Sequence, residues 1–444
     1  MKYLKSILSG CLLALVLVIG AQAQITEKAT FGKFAITNAT VHTVTNGVIE
    51  NGVVLINGEN IVYVGKNAKI TPDYVQIDAT GKHVYPGFMD AATQLGLVEI
   101  GAVDVTNDQD ELGEFNPHMR AFTAINPNSA SIPVTRVNGV TQVISMPVGG
   151  RISGKATLID LYGYTPDSMA VLPNAALHLN WPSVLKGGWW DDRTEEEVKK
   201  EYRKNLEQLN EFWDKARFYD QMMTAYEENP EGKEEPDADK KMQAMRRVIN
   251  GEIPVIISVS RKMDILNAIG WTKNHPEARF ILAGVQEGWR VAEEIAEAGL
   301  PCLVSTLYTP VRDYTNYQRP YQNPGLLQEA GVKVAIATGG AENVRNVLYH
   351  AGYAAAYGLG KKEALKAVTI NSAEIFGVAD QLGSIETGKQ ANLFIADGDP
   401  FEPMTHIEQV FIRGYKIPMI SRHTQLHEQF LNRGAVTNQG TVTH

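Results

Sequence analysis

The sequence predicts an α/β fold: a (β/α)8 TIM-like barrel with a β-sandwich domain formed by N- and C-terminal segments. Three observations predict it. Short apolar strand candidates at 84–89, 140–146, 254–260, 279–284, 301–305 and 332–338 alternate with helical patterns at 262–273, 290–298, 344–358 and 361–376. That alternation marks a parallel sheet wrapped by helices. β-rich stretches punctuated by Asn and Gly stand at both chain ends, and they can pair if the middle folds as one unit. The length of 444 residues, 44% of them apolar, suits one large barrel plus an accessory domain. A doubly wound open sheet is the alternative arrangement of the same pattern.

The elements follow in order. Residues 1–23 read as an export signal: Lys2 and Lys5 precede an apolar run, and Ala21-Gln22-Ala23 offers small residues for cleavage. The run is short for a bilayer span, so no stable membrane anchor is expected. The protein is expected to be exported, to the periplasm or the medium. Residues 24–85 carry alternating strands from Phe34 onward and form one half of the composite sandwich; 381–420 supply the other half. Residues 86–380 form the barrel. Within them, 191–247 are densely charged and helical. Thr194 and Glu197 make a capping-box pattern, and Val198, Tyr202, Leu206, Leu209, Trp213 and Ala216 keep one apolar face. This insertion after strand four is a lid, a subunit interface, or a solvated excursion that covers one barrel edge. Residues 421–444 read as a polar tail.

Composition excludes several classes. A net charge of −9 argues against nucleic acid as partner, since that needs a basic face. Two cysteines exclude a disulfide scaffold, and removing the signal leaves Cys302 alone. Some motifs fail on inspection. Residues 149–156 nearly match a phosphate-binding loop, but Ala156 stands where Ser or Thr is needed and a strand pattern follows instead of a helix. His423 and His427 share an i, i+4 spacing, but Thr424 replaces the Glu that a zincin pattern requires.

The stretch His83-Val-Tyr-Pro-Gly-Phe-Met-Asp-Ala-Ala-Thr-Gln-Leu-Gly-Leu97 resembles the entry into the first barrel strand of the amidohydrolase superfamily, particularly its imidazolonepropionase-like members. Segments at 117–127, 138–144, 364–377 and 382–400 resemble later parts of the same family in the same order. The resemblance implies a metal-dependent hydrolase that acts on C–N bonds, often of cyclic amides. Its metal would be held at the C-terminal face of the barrel by histidines of strands one, five and six and an aspartate of strand eight.

The sequence departs from that pattern at those positions. The two first-strand histidine positions fall on Ala92 and Gln94, the fifth-strand one on Ser258 (then Ser260), the sixth-strand one on Gly284, and the eighth-strand aspartate on Gly339. Ala and Gly offer no donor, and Ser and Gln are weak ligands for zinc. What remains at the expected mouth is polar: Thr93, Gln94, Ser258, Ser260, Gln286 and Thr338, with His118, Arg151, Arg261 and Glu287 as further candidates. Such a lining suits a small neutral or zwitterionic ligand, or it merely fills with water.

Three readings result. The first is an exported, metal-free homologue that binds a small ligand, forms a homo-oligomer, or partners an active paralogue; no cofactor is then expected. The second is a working hydrolase on C–N bonds with zinc or another divalent metal at an atypical site, whose smallest ligand set is Asp160, His118 and Glu287. The third is a metal-independent enzyme or a structural subunit. One expectation follows at once. The double variant Ala92→His, Gln94→His supplied with zinc gains no hydrolysis of cyclic amides, because three other positions still lack donors. Measurable turnover in that assay contradicts the empty-site argument.

Overall fold

The structure is a computed structural model. It describes residues 28–431 and Arg433, apart from residues 189, 233 and 310–313; the expected signal segment and half of the expected tail lie outside the described residues. Eight strands form the barrel: β1 (Phe88–Thr93), β2 (Val140–Ser145), β3 (Ile152–Asp160), β4 (Ala170–Asn180), β5 (Val255–Val259), β6 (Phe280–Gly284), β7 (Cys302–Val304) and β8 (Val334–Ile336). They are hydrogen-bonded side by side in that order. The barrel expected from the alternation is present, and the open doubly wound sheet is not.

One strand departs from a uniform (β/α)8 pattern. β3 runs antiparallel to both β2 and β4. The cause is local. The link from β2 to β3 is only six residues, 146–151, and Gly149 and Gly150 in it adopt φ of +84° and +55°. A side chain on Gly150 would meet the Gly113 carbonyl oxygen at 2.6 Å. The chain turns straight back with no room for a crossover helix. The near-match to a phosphate-binding loop is therefore a hairpin turn followed by a strand. It also means that the C-terminal end of β3 lies at the N-terminal end of the barrel.

The barrel interior is lined by Met89, Ala91, Ala92, Ile144, Ala156, Leu158, Ala176, Ile256, Ile281, Ala283, Leu303, Ala335 and Ala337. Alternate residues such as Leu177, Leu179, Val255, Ile257 and Leu282 point outward into a second cluster. The period-two pattern of each strand thus fixes which side chains reach the axis.

Both chain ends build one nine-stranded sheet. The join is the antiparallel pair of His83–Pro86 with Leu393–Ala396, where Leu393 faces Pro86 and Ala396 faces His83. Phe394 packs edge-on against Phe88 at 4.9 Å, which seats this sheet against the start of β1. Asp160 lies at the same end. It accepts hydrogen bonds from Gln142 and Asn392 at 2.9 and 3.0 Å, and Arg413 stands 3.9 Å away.

The insertion is a pair of helices, α1 (Glu195–Glu228) and α2 (Lys240–Ile249). At 34 residues α1 is about 50 Å long, at roughly 1.5 Å per residue. It begins at the expected capping box: the Glu197 amide donates to Thr194 Oγ1 at 3.2 Å and the Thr194 amide to the Glu197 carboxylate at 2.7 Å. Leu209, Trp213, Ala216 and Tyr219 are buried with Met242, Met245 and Val248 of α2 against the barrel wall. Trp213 stacks edge-on with Trp271 of α3 (Lys262–Thr272) at 5.1 Å, and Trp271 Nε1 donates to Asn210 Oδ1 at 2.8 Å. This apolar face is therefore occupied within the chain. Farther along, Arg422–Leu431 forms a helix whose His423 and His427 are exposed.

Trp213 is fully buried, so Trp213→Ala is expected to cost about 3–5 kcal/mol. The expected readouts are a lower thermal midpoint and early tryptic cleavage within α1 and α2. An unchanged midpoint would show that the insertion is not part of the core.

Candidate functional site

The mouth lies at the C-terminal ends of β1, β2 and β5–β8, and of β4, with the start of β3 among them. Its edge between β8 and β1 is closed by one side chain. Asp90 of β1 is fully buried. It accepts from the amides of Ala92 and Thr338, each at 3.1 Å, and from the Thr338 hydroxyl. The Gly339 amide donates to the Ala92 carbonyl at 3.0 Å, and Thr93 Oγ1 to the Gly340 carbonyl at 3.1 Å. Burial pushes the Asp90 carboxyl up to about 7, although each of these hydrogen bonds pulls it down.

The residues that the resemblance sets at ligand positions, Ala92, Gln94, Ser258, Gly284 and Gly339, lie at or just past the C-terminal ends of their strands. Ala92 is 4% exposed and presents only a methyl group. Gly284 closes β6 with φ +88°, and a side chain there would have its first carbon 3.2 Å from the Val259 carbonyl oxygen. Gly339 has φ +72°. These backbones suit glycine and strain any L side chain, so the positions are not merely truncated ligands. Among the described residues no group of three or more His, Cys, Asp or Glu side chains is placed to hold a metal ion. The donor set does not fit the divalent ion that the family pattern implies.

The polar candidates separate into two groups. Several are committed to the fold. Thr338 and Thr93 serve the β1–β8 closure. Glu287 accepts from the Lys262 amide at 2.8 Å and caps α3. Arg261 donates to the carbonyls of Lys186 and Leu185 at 2.7 and 3.0 Å and to Ser183 at 3.0 Å. Arg151 donates to the Asn180 carbonyl at 2.7 Å. It borders a cavity of about 250 Å³, with Trp181, Arg193, Glu201 and Tyr202, between the barrel rim and α1. The others are not used by the fold: Gln94, just past β1, and Ser260 and Gln286, past β5 and β6. None of these three side chains is hydrogen-bonded to a described residue, and Ser260 and Gln286 are partly exposed.

The alternative ligand set does not assemble, and this corrects the expectation. Asp160 sits at the opposite end of the barrel because β3 is reversed. His118 lies on a segment bridged to β3 through Phe115 and Arg120. Burial lowers its pKa, and so do the charges of Lys241 and Lys240 on α2. Glu287 is occupied at α3. Lys155 also lies on β3, where burial, then Arg247 and Arg120, lower it to about 8.

The residue that sequence reasoning missed is His178. It follows Ala176 on the inward face of β4. Its Nδ1 lies 2.7 Å from the Pro147 carbonyl and 3.1 Å from Ser153 Oγ. Its Nε2 lies 2.7 Å from Ser258 Oγ. A carbonyl can only accept, so Nδ1 carries the proton and Nε2 takes the Ser258 hydroxyl hydrogen. Burial lowers the ring to about 4, so it is neutral at ordinary pH. The signal that locates it is the alternation Ala176-Leu-His-Leu179, which puts the imidazole on the axis once a strand is recognised there.

The comparisons agree with this architecture. A model of the amidohydrolase family matches residues 323–421. Among solved structures, an amidohydrolase from Thermotoga maritima is 26% identical with a TM-score of 0.75, over 87% of this chain and 99% of that one. A prolidase complexed with N-methylphosphonate-L-proline is 18% identical with a TM-score of 0.53, over 87% and 99%. Molinate hydrolase is 15% identical with a TM-score of 0.55, over 88% and 95%; these last two likenesses concern the fold alone. No curated protein matches the chain. The chain is thus similar to the amidohydrolase family in sequence over residues 323–421 and to the Thermotoga maritima amidohydrolase over most of its length.

The buried histidine sets a pH dependence. Its folded pKa of about 4 lies below the ordinary 6.5, so the unfolded chain takes up the proton first. Stability is then lost as pH falls from about 6.5 towards about 4. His42 and His350, both lowered to about 4 by burial, add the same slope. Asp90 opposes it, since its raised pKa removes stability as pH rises from about 4 towards 7. Thermal melts between pH 7 and 4.5 are expected to show a smaller drop for His178→Asn than for the parent. An equal drop would contradict the assignment.

Proposed function

We propose that the protein is a metal-free member of the amidohydrolase superfamily that binds a small neutral or zwitterionic ligand at the barrel mouth. One observation carries this: the five expected ligand positions hold Ala92, Gln94, Ser258, Gly284 and Gly339, two of them with backbones suited to glycine. The polar atoms without a partner in the fold, on Gln94, Ser260 and Gln286, are uncharged. They suit hydrogen bonding to amide, carboxamide or zwitterionic groups. The imidazolonepropionase-like assignment is part of the proposal and rests on the motif at residues 83–97. So does export, which rests on the pattern of residues 1–23. Association with a second copy or an active paralogue is compatible with this function.

The second reading is a working hydrolase on C–N bonds. It is favoured by the likeness to the Thermotoga maritima amidohydrolase over nearly that protein's full length. On that reading a metal must find a donor set that the described residues do not assemble.

The test is a thermal-shift screen of chelator-treated protein against cyclic amides, dipeptides and amino acids. The reading expects a ligand that raises the midpoint by several degrees without metal. It expects that shift to vanish in the Gln94→Ala, Gln286→Ala variant. No shift with any compound, or shifts that appear only on adding zinc, would overturn it.

A further inference from the structure

We propose that Ser258 is a nucleophile and His178 its general base, forming a metal-independent acyl-transfer dyad at the barrel mouth. The inference rests on the metal-free reading above and gives that site a chemistry.

Position comes first. Ser258 follows Ile256 on the inward face of β5, near the strand's C-terminal end, where barrel active sites stand. Its neighbours Val255, Ile257 and Val259 are buried outward, so the hydroxyl faces the axis. Its backbone is fixed by the Trp181 amide, which donates to its carbonyl at 3.1 Å. Ser258 is partly exposed, whereas His178 is 2% exposed. The hydroxyl therefore stands between a buried base and the open mouth.

Geometry supplies the second argument. A serine becomes nucleophilic when its proton is aimed at a base that a third group orients. Here Oγ is 2.7 Å from Nε2, and Nδ1 is 2.7 Å from the Pro147 carbonyl. Ser153 Oγ, itself bonded to the Gly149 carbonyl at 2.6 Å and to Asn180 Nδ2 at 3.1 Å, flanks Nδ1. The tautomer follows from these partners. The low pKa of the ring agrees with a bare Nε2 in the resting protein.

Backbone strain marks the same rim. Val285, a β-branched residue one position past β6, adopts φ +31°, a conformation such residues avoid. Its amide donates to the Val259 carbonyl at 2.7 Å, and its carbonyl accepts from Asn323 Nδ2 at 3.0 Å. Strain of this kind gathers at functional sites. It lies beside the residue that follows Ser258.

The chemistry balances without a redox partner. Ser258 Oγ attacks the substrate carbonyl carbon, forming a C–O bond, while its proton passes to His178 Nε2. The tetrahedral adduct then breaks its bond to the leaving oxygen or nitrogen, which takes the proton back from Nε2. Water attacks the acyl-serine in turn. His178 receives its proton and returns it to Oγ as the acid departs.

The orienting group sets the substrate class. In serine proteases, losing the proper third carboxylate costs about 10⁴ in kcat, and here a neutral carbonyl takes that place. Peptide bonds are therefore out of reach, and the dyad suits small esters, lactones and other activated acyl groups.

The experiment is covalent labelling of the full chain, stripped with chelator, by a fluorophosphonate probe, followed by intact mass and peptide mapping. The expected result is one adduct on Ser258, formed at a constant rate from about pH 6 to 8 and more slowly towards pH 4. His178→Gln is expected to slow labelling at least about 100-fold. No adduct on the parent protein at saturating probe overturns the dyad, as does an adduct mapped elsewhere. An unchanged rate in His178→Gln also overturns it. Elemental analysis of the unstripped protein separates the two readings. Stoichiometric metal overturns the metal-free mouth, whereas a metal-free but unlabelled protein overturns the dyad alone.

Discussion

The structure depends on how its barrel closes. Seven of the eight joints between barrel strands are backbone ladders. At the eighth, β8 to β1, the Asp90 carboxyl stands in for part of a ladder by accepting from two amides and one hydroxyl. A buried carboxyl is costly unless its acceptors are filled. Three filled acceptor contacts make this one tolerable, and they commit Asp90 to architecture. This carboxyl at the β8–β1 edge of the mouth is therefore already engaged.

That commitment shapes the rest of the mouth. With Asp90, Thr93 and Thr338 tied to the closure and Glu287 capping α3, no carboxylate in the candidate set remains for a metal. The glycines reinforce the point. Gly284 and Gly339 hold left-handed backbones, which changes the path of the chain where the family pattern places metal ligands. What faces the axis instead is a line of small residues ending in a Ser258–His178 hydrogen bond. Burying an imidazole favours its neutral form, and its two nitrogens are then divided between a carbonyl and a hydroxyl.

Much of this was legible in the sequence. Strand–helix alternation beyond residue 250 identified β5, β6, β7 and β8, because each is a short apolar run bounded by turn residues. The Thr194–Glu197 pair located the start of α1. The inward register of Ser258 could be read as well, since period two leaves little freedom once a strand is placed. The region between β2 and β4 was not legible. Its antiparallel hairpin carries no helix to announce a crossover, and β4 begins at the non-strand-like Ala170-Val-Leu-Pro. Without β4, His178 had no face to belong to, and Asp160 was placed at the wrong end of the barrel. The partners of Glu287 and Arg261 were equally hidden, since they come from tertiary contacts with α3 and with residues 183–186.

The central proposal is that this barrel holds no catalytic metal. Its most direct measurement is the metal content of protein purified without chelator, by elemental mass spectrometry, repeated after loading with zinc or manganese and desalting. The account predicts a stoichiometry near zero both times. One or more tightly held ions per chain would contradict it and return the hydrolase mechanism to first place.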